Sequence, residues 1–152
     1  LLSFCPNLCL EIGFNAGHSA LLMLLSNPHL HLTSVDISVN SYVEPCASYI
    51  SDQFPDRFRF IKSSSASFFS SLNLPFPFDL IHLDGAHDFS TAFADLCSIS
   101  TFSSHSSSPT ATLVVDDMNT AAVSDACAPF IRSGLLSPVP SVSSESCTFT
   151  LT

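Results

Sequence analysis

Short apolar runs alternate with helix-length segments along this chain, and that alternation limits the fold more than any other feature of the sequence. Residues 8–12, 30–37, 57–62, 78–83 and 111–116 read as strands. Residues 17–25, 43–53, 65–72, 89–99 and 120–133 read as helices between and after them. Pro45 falls in a first helical turn, where it is tolerated, and Gly134 ends the last helix. Pro75-Phe76-Pro77 breaks the chain before the fourth strand, residues 103–109 read as a Ser-rich loop, and 135–152 suit two final strands. Apolar strands in β–α alternation imply an α/β fold: a doubly wound, mostly parallel sheet with helices on both faces.

The 152 residues suit one domain, 1–152, with a single sizeable core. Four Lys and Arg stand against thirteen Asp and Glu, a net charge of −9. Such a surface has no counterion-release term to hold a phosphate backbone, which excludes nucleic acid as the main partner. No apolar run reaches the roughly 18 residues of a membrane span, so the expected location is cytoplasmic. Cys5, Cys9, Cys46, Cys97, Cys127 and Cys147 form no C-x-x-C pair and read as reduced, mostly buried thiols. The sequence enters a strand soon after Leu1, so substrate-binding elements that would precede that strand are expected to be missing.

Glycine is scarce, at four residues, and three of the four sit in two acidic motifs at strand ends. The first motif is Glu11-Ile12-Gly13-Phe14-Asn15-Ala16-Gly17-His18-Ser19. Its spacing is not the G-x-G-x-x-G of a pyrophosphate cradle, and an acid just before the loop would repel a pyrophosphate. The same acid suits an ammonium group. Asp36 lies 25 residues after Glu11 at the end of the second strand, where a carboxylate accepts hydrogen bonds from ribose hydroxyls. A ligand with a ribose, a positive amine and little or no phosphate is indicated, and S-adenosylmethionine fits.

Glu11-x-Gly13-x-x-x-Gly17-x-Ser19, followed by Val35-Asp36, resembles the first two motifs of the class I S-adenosylmethionine-dependent methyltransferases, which are Rossmann-like. The resemblance implies that Glu11, Gly13, Asn15, Gly17 and Ser19 surround the methionine part of the cofactor and that Asp36 holds the ribose. It also implies an acid near the adenine after the third strand. Here that stretch reads Lys62-Ser63-Ser64-Ser65, leaving Ser64 as the candidate hydrogen-bonding group.

The second motif, Asp84-Gly85-Ala86-His87, ends the fourth strand, and Asp116-Asp117 ends the fifth. In a parallel sheet these carboxylates share one edge, where they repel each other unless a cation intervenes. Hard oxygen donors suit Mg²⁺ or Mn²⁺. His87 is placed to take a proton from a metal-oriented hydroxyl. These segments resemble the metal-dependent O-methyltransferases of the macrolide sugar type. That resemblance implies Asp84, Asp116 and Asp117 as metal ligands, His87 as general base, and a small hydroxylated acceptor such as a sugar or polyol. Plainer roles compete: Asp117 as a helix cap, His87 as a loop tether, His82 as a core histidine and His18 as a helix-start residue. His29, His31 and His105 carry no motif. Rival functions are a non-catalytic S-adenosylmethionine-binding domain, an NAD-dependent oxidoreductase and a metal-dependent hydrolase.

Overall fold

A computed structural model describes residues 6–72, 78–103, 111–139 and 146–151. The order of elements is β1 (Leu8–Ile12), α1 (His18–Ser26), β2 (His31–Asp36), α2 (Val43–Gln53), β3 (Phe58–Lys62) and α3 (Ser65–Ser71). It continues with β4 (Leu80–Leu83), α4 (Phe89–Ser103), β5 (Thr112–Val115), α5 (Ala121–Ser133), β6 (Leu136–Val139) and β7 (Cys147–Leu151). The strands form one seven-stranded sheet in the order β3-β2-β1-β4-β5-β7-β6. β1 to β5 are parallel, and β7 joins β5 antiparallel with β6 outside it. This is the doubly wound, mostly parallel sheet expected from the alternation, in the Rossmann-like form that the resemblance implied.

Successive strand residues point to opposite faces. Leu10, Ile12, Ile81 and Leu113 therefore pack with Phe68 and Phe69 of α3, Leu96 of α4 and Phe130 of α5. Cys9 and Leu32 pack on the other face with Leu24 of α1 and with Ala47 and Ile50 of α2. Helix α4 runs past 99 to Ser103. Its Ser and Thr side chains bond back to carbonyls one turn earlier, Ser98 to Ala94 at 3.0 Å and Thr101 to Cys97 at 2.8 Å, so a Ser-rich stretch is absorbed into helix. Pro138 sits in β6, an edge strand, where a missing N–H is harmless. The proline break at 75–77 and the loop expected at 104–109 lie outside the described residues.

Burial pushes up the Cys9 thiol, with Glu11 adding to the shift, and raises Cys127 to about 11. Cys97 is exposed, and Cys46 and Cys147 are half-buried. No helix among the described residues is long and apolar enough to cross a membrane.

Candidate functional site

The sheet order reverses between β1 and β4, where open α/β sheets form their ligand crevice. A cavity of about 520 Å³ opens there. The candidate residues Gly13, Asn15, Asp36, Ser64, Asp84 and His87 line it. Glu11, Gly17 and Ser19 do not line it, nor do Asp116 and Asp117. A smaller cavity, about 260 Å³, lies between α1 and α2 and is largely apolar. Asp36, Asp84 and His87 belong to the larger one, and Asp116 and Asp117 line a separate small pocket that shares Asp84 and His87 with it.

Gly13 leaves β1 at φ +94°, its N–H on the Val35 carbonyl at 2.9 Å. A Cβ there would collide with the Asp84 carbonyl, so glycine is what lets the first loop cross the end of β4. The Asp36 carboxylate organises this loop. Its Oδ2 accepts the Phe14 and Asn15 N–H groups, both at 2.9 Å, and its Oδ1 accepts Ser38 N–H at 2.7 Å. Oδ1 keeps acceptor capacity for a further donor in the cavity. Gly17 also has a positive φ, +78°, but a side chain there would meet the Phe14 ring at 2.5 Å and Ile50 at 2.8 Å. Packing of the first loop against α2 by itself requires glycine here.

Glu11 is wholly buried. Parallel register sets it opposite Ser34 of β2 and His82 of β4, so the three side chains share one face of the sheet. Ser34 donates to Oε2, and Ser19 of α1 donates to Oε1, each at 2.5 Å. His82 Nδ1 lies 3.5 Å from Oε1, a charge-pair distance, with no well-aligned hydrogen bond. Burial works to lower the His82 pKa, but the Glu11 contact and charge, with Asp84 and Asp116, outweigh it and raise the pKa. His82 is thus a charged-site neighbour, not the isolated core histidine expected. Its partner was invisible in the sequence because strand register decides it.

Leu83 pairs with Val115, so Asp84 and Asp116 emerge side by side from β4 and β5. Asp117 adopts φ +54°, turning the chain so that the adjacent carboxylates diverge. Its side chain meets His87 Nε2 at 2.8 Å, and it is the Asp117 carbonyl that takes Thr120 at the start of α5. Asp117 is therefore not a side-chain helix cap. Metal-ligating atoms gather in two groups that share Asp84: His82–Asp84–Asp116 and Asp84–His87–Asp117, each within 4.8 Å. The expected set of three carboxylates is not one group among the described residues; each group includes a histidine. Burial raises the Asp84 pKa to about 6, helped by the Asp116 and Asp117 charges and opposed by His82 and His87.

Ser64 is the N-cap of α3, its Oγ accepting Ser67 N–H at 3.2 Å. Asp95 is a cavity residue that the sequence reading missed. It lies on α4, one helical turn after Thr91, and both line the cavity. The available signal was a lone acid set among the apolar residues Ala92, Leu96 and Ile99.

A family model described as a methyltransferase domain matches residues 10–118. No curated protein matches the sequence. Solved structures share the fold at low identity. A methyltransferase of Podospora anserina bound to S-adenosylhomocysteine has 15% identity and a TM-score of 0.76, over 97% of this chain and 72% of its own. The O-methyltransferase of Bacillus cereus, in complex with the same ligand, has 16% identity and a TM-score of 0.68, over 97% and 74%. An O-methyltransferase of Streptomyces achromogenes involved in tomaymycin synthesis, in complex with S-adenosylmethionine, has 18% identity and a TM-score of 0.66, over 97% and 74%.

Proposed function

The chain belongs to the methyltransferase-domain family, and from that premise we propose that it moves the methyl group of S-adenosylmethionine to a hydroxyl oxygen of a small molecule, with a divalent cation assisting. The observation that carries this reading is the shared cavity. It has Asp36, with spare acceptor capacity, on one wall and Asp84 and His87 on another. A ribose diol meets Asp36. Gly13 and Asn15 offer backbone beside the methionine part, and Ser64 lines the cavity beyond. Glu11, Gly17 and Ser19 support the loop from behind.

The donor chemistry fits a divalent cation. His82, Asp84 and Asp116 would hold it, and when bound it lowers the pKa of a coordinated hydroxyl. His87 and Asp117 then remain a base dyad. With Nε2–H donated to Asp117, Nδ1 is the basic nitrogen that takes the acceptor's proton. The acceptor is a hydroxylated metabolite such as a sugar or polyol, and the place of action is the cytoplasm, where free thiols persist. Membership of this family displaces the oxidoreductase and hydrolase readings.

Calorimetry with S-adenosylmethionine, with and without Mn²⁺ or Mg²⁺, tests the two ligands separately. The cofactor should bind in both conditions and NAD in neither. Methyl transfer to hydroxylated acceptors should cease in excess chelator. Equal turnover with chelator present overturns the metal role, and absence of cofactor binding overturns the whole reading.

A further inference from the structure

Asp95 is only 3% exposed, yet it lines the cavity. Its Oδ2 lies beside Gly85, 3.8 Å from where a Cβ of that residue would stand. None of the chain's Lys or Arg residues pairs with it among the described residues; the Ser65 hydroxyl donates to it. A carboxylate has about four acceptor sites, and one hydroxyl leaves most of them without a donor from the protein. Burying such a group without further donors is costly, so its position points to a ligand that brings N–H or O–H groups.

The rest of the cavity narrows the choice. Asp36 is the acceptor placed for a ribose diol. The same cavity is lined by the hydroxyls of Ser63, Ser64, Ser65 and Thr91, with Val35, Ile37 and Val39 as apolar surface. Apolar flanks with one edge of hydroxyls and a carboxylate suit a flat heteroaromatic ring that carries a neutral amine. Burial holds the Asp95 carboxyl above its usual range, with the Ser65 bond opposing the shift and Asp88 adding to it.

We infer that Asp95 reads the exocyclic amine of the cofactor's adenine, accepting its N–H, while Ser65 fixes the carboxylate in place. The inference rests on the S-adenosylmethionine reading and adds to it a specificity-determining residue supplied by α4. S-inosylhomocysteine tests it, because it puts a carbonyl oxygen where S-adenosylhomocysteine has the amine. Wild-type protein should bind the adenosyl ligand about 10- to 100-fold more tightly than the inosyl one, the worth of one hydrogen bond to a charged group. Asp95→Asn keeps the shape but can donate to the carbonyl, so the ratio should fall to near unity. Ser65→Ala should lower it severalfold by releasing the carboxylate. A purely structural Asp95, tying α3 to α4, would change stability and leave the ratio alone. If Asp95→Asn does not fold, the wild-type ratio and Ser65→Ala decide. A wild-type ratio near unity, or a ratio unmoved by the variants, overturns the inference while the cofactor reading stands. Failure of the wild type to bind either ligand overturns both.

Discussion

At the scale of single residues, glycine and aspartate do most to shape the site. Gly13 has φ +94°, and any side chain there would strike the Asp84 carbonyl. Gly13→Ala should therefore cost more than about 3 kcal/mol, combining backbone strain with a clash against main chain. A urea midpoint within error of wild type would contradict the packing of the first loop on β4. Asp84 gives a pH signature. Its carboxyl is raised to about 6 in the folded protein, by burial first and then by Asp116 and Asp117. The unfolded carboxyl titrates near its ordinary value of about 4. Between these values the folded state holds the proton more tightly, so this contribution to stability is complete at the acid end and fades as pH rises through about 6. Without added cation, the melting temperature should carry a component that falls across that window. Asp84→Asn should remove the component, and Mn²⁺ should offset it above pH 6. A pH profile identical in wild type and Asp84→Asn would refute the assignment. The sequence pointed to Asp84, Asp36 and Gly13 because each ends an apolar run. It gave no hint that Glu11 would face Ser34 and His82, since the pairing register that unites them is a property of the folded sheet.

At the scale of elements, local chemistry explains both what was legible and what was not. The strands were readable because each apolar run is short and ends in a turn signal. Helix α4 was read short because serine ordinarily marks loops, whereas here Ser98 and Thr101 satisfy their hydroxyls within the helix. Helix α5 contains Pro129 in its interior. Proline there lacks the N–H that would reach the preceding turn and crowds that turn's carbonyl. Pro129→Ala should stabilise the protein by about 1–3 kcal/mol. Chemical denaturation measures this directly. A destabilised variant would mean that the ring's contacts outweigh the helix penalty. Ser64 has two uses, as cap of α3 and as cavity wall, which is why its position in the sequence was informative and its role was not.

At the scale of the whole molecule, the net charge of −9 has a stability consequence. Like charges on a compact body repel, and salt screens them over a Debye length of about 8 Å at physiological strength. The melting temperature should rise as NaCl increases from near zero to about 0.15 M. MgCl₂ or MnCl₂ at matched ionic strength should raise it further, because a cation site adds binding to screening. Equal effects of NaCl and the divalent salts would speak against a specific site. The row Ser34–Glu11–His82, closed by Ser19 from α1, also bears on descent. Glu11 has no water to turn to if one of its neighbours is lost. Substitution at 19, 34 or 82 alone would strand a buried carboxylate, so a lineage could leave this arrangement only by changing several positions together. Among related sequences, positions 11, 19, 34 and 82 should vary as a set, though up to 71 residues separate them along the chain.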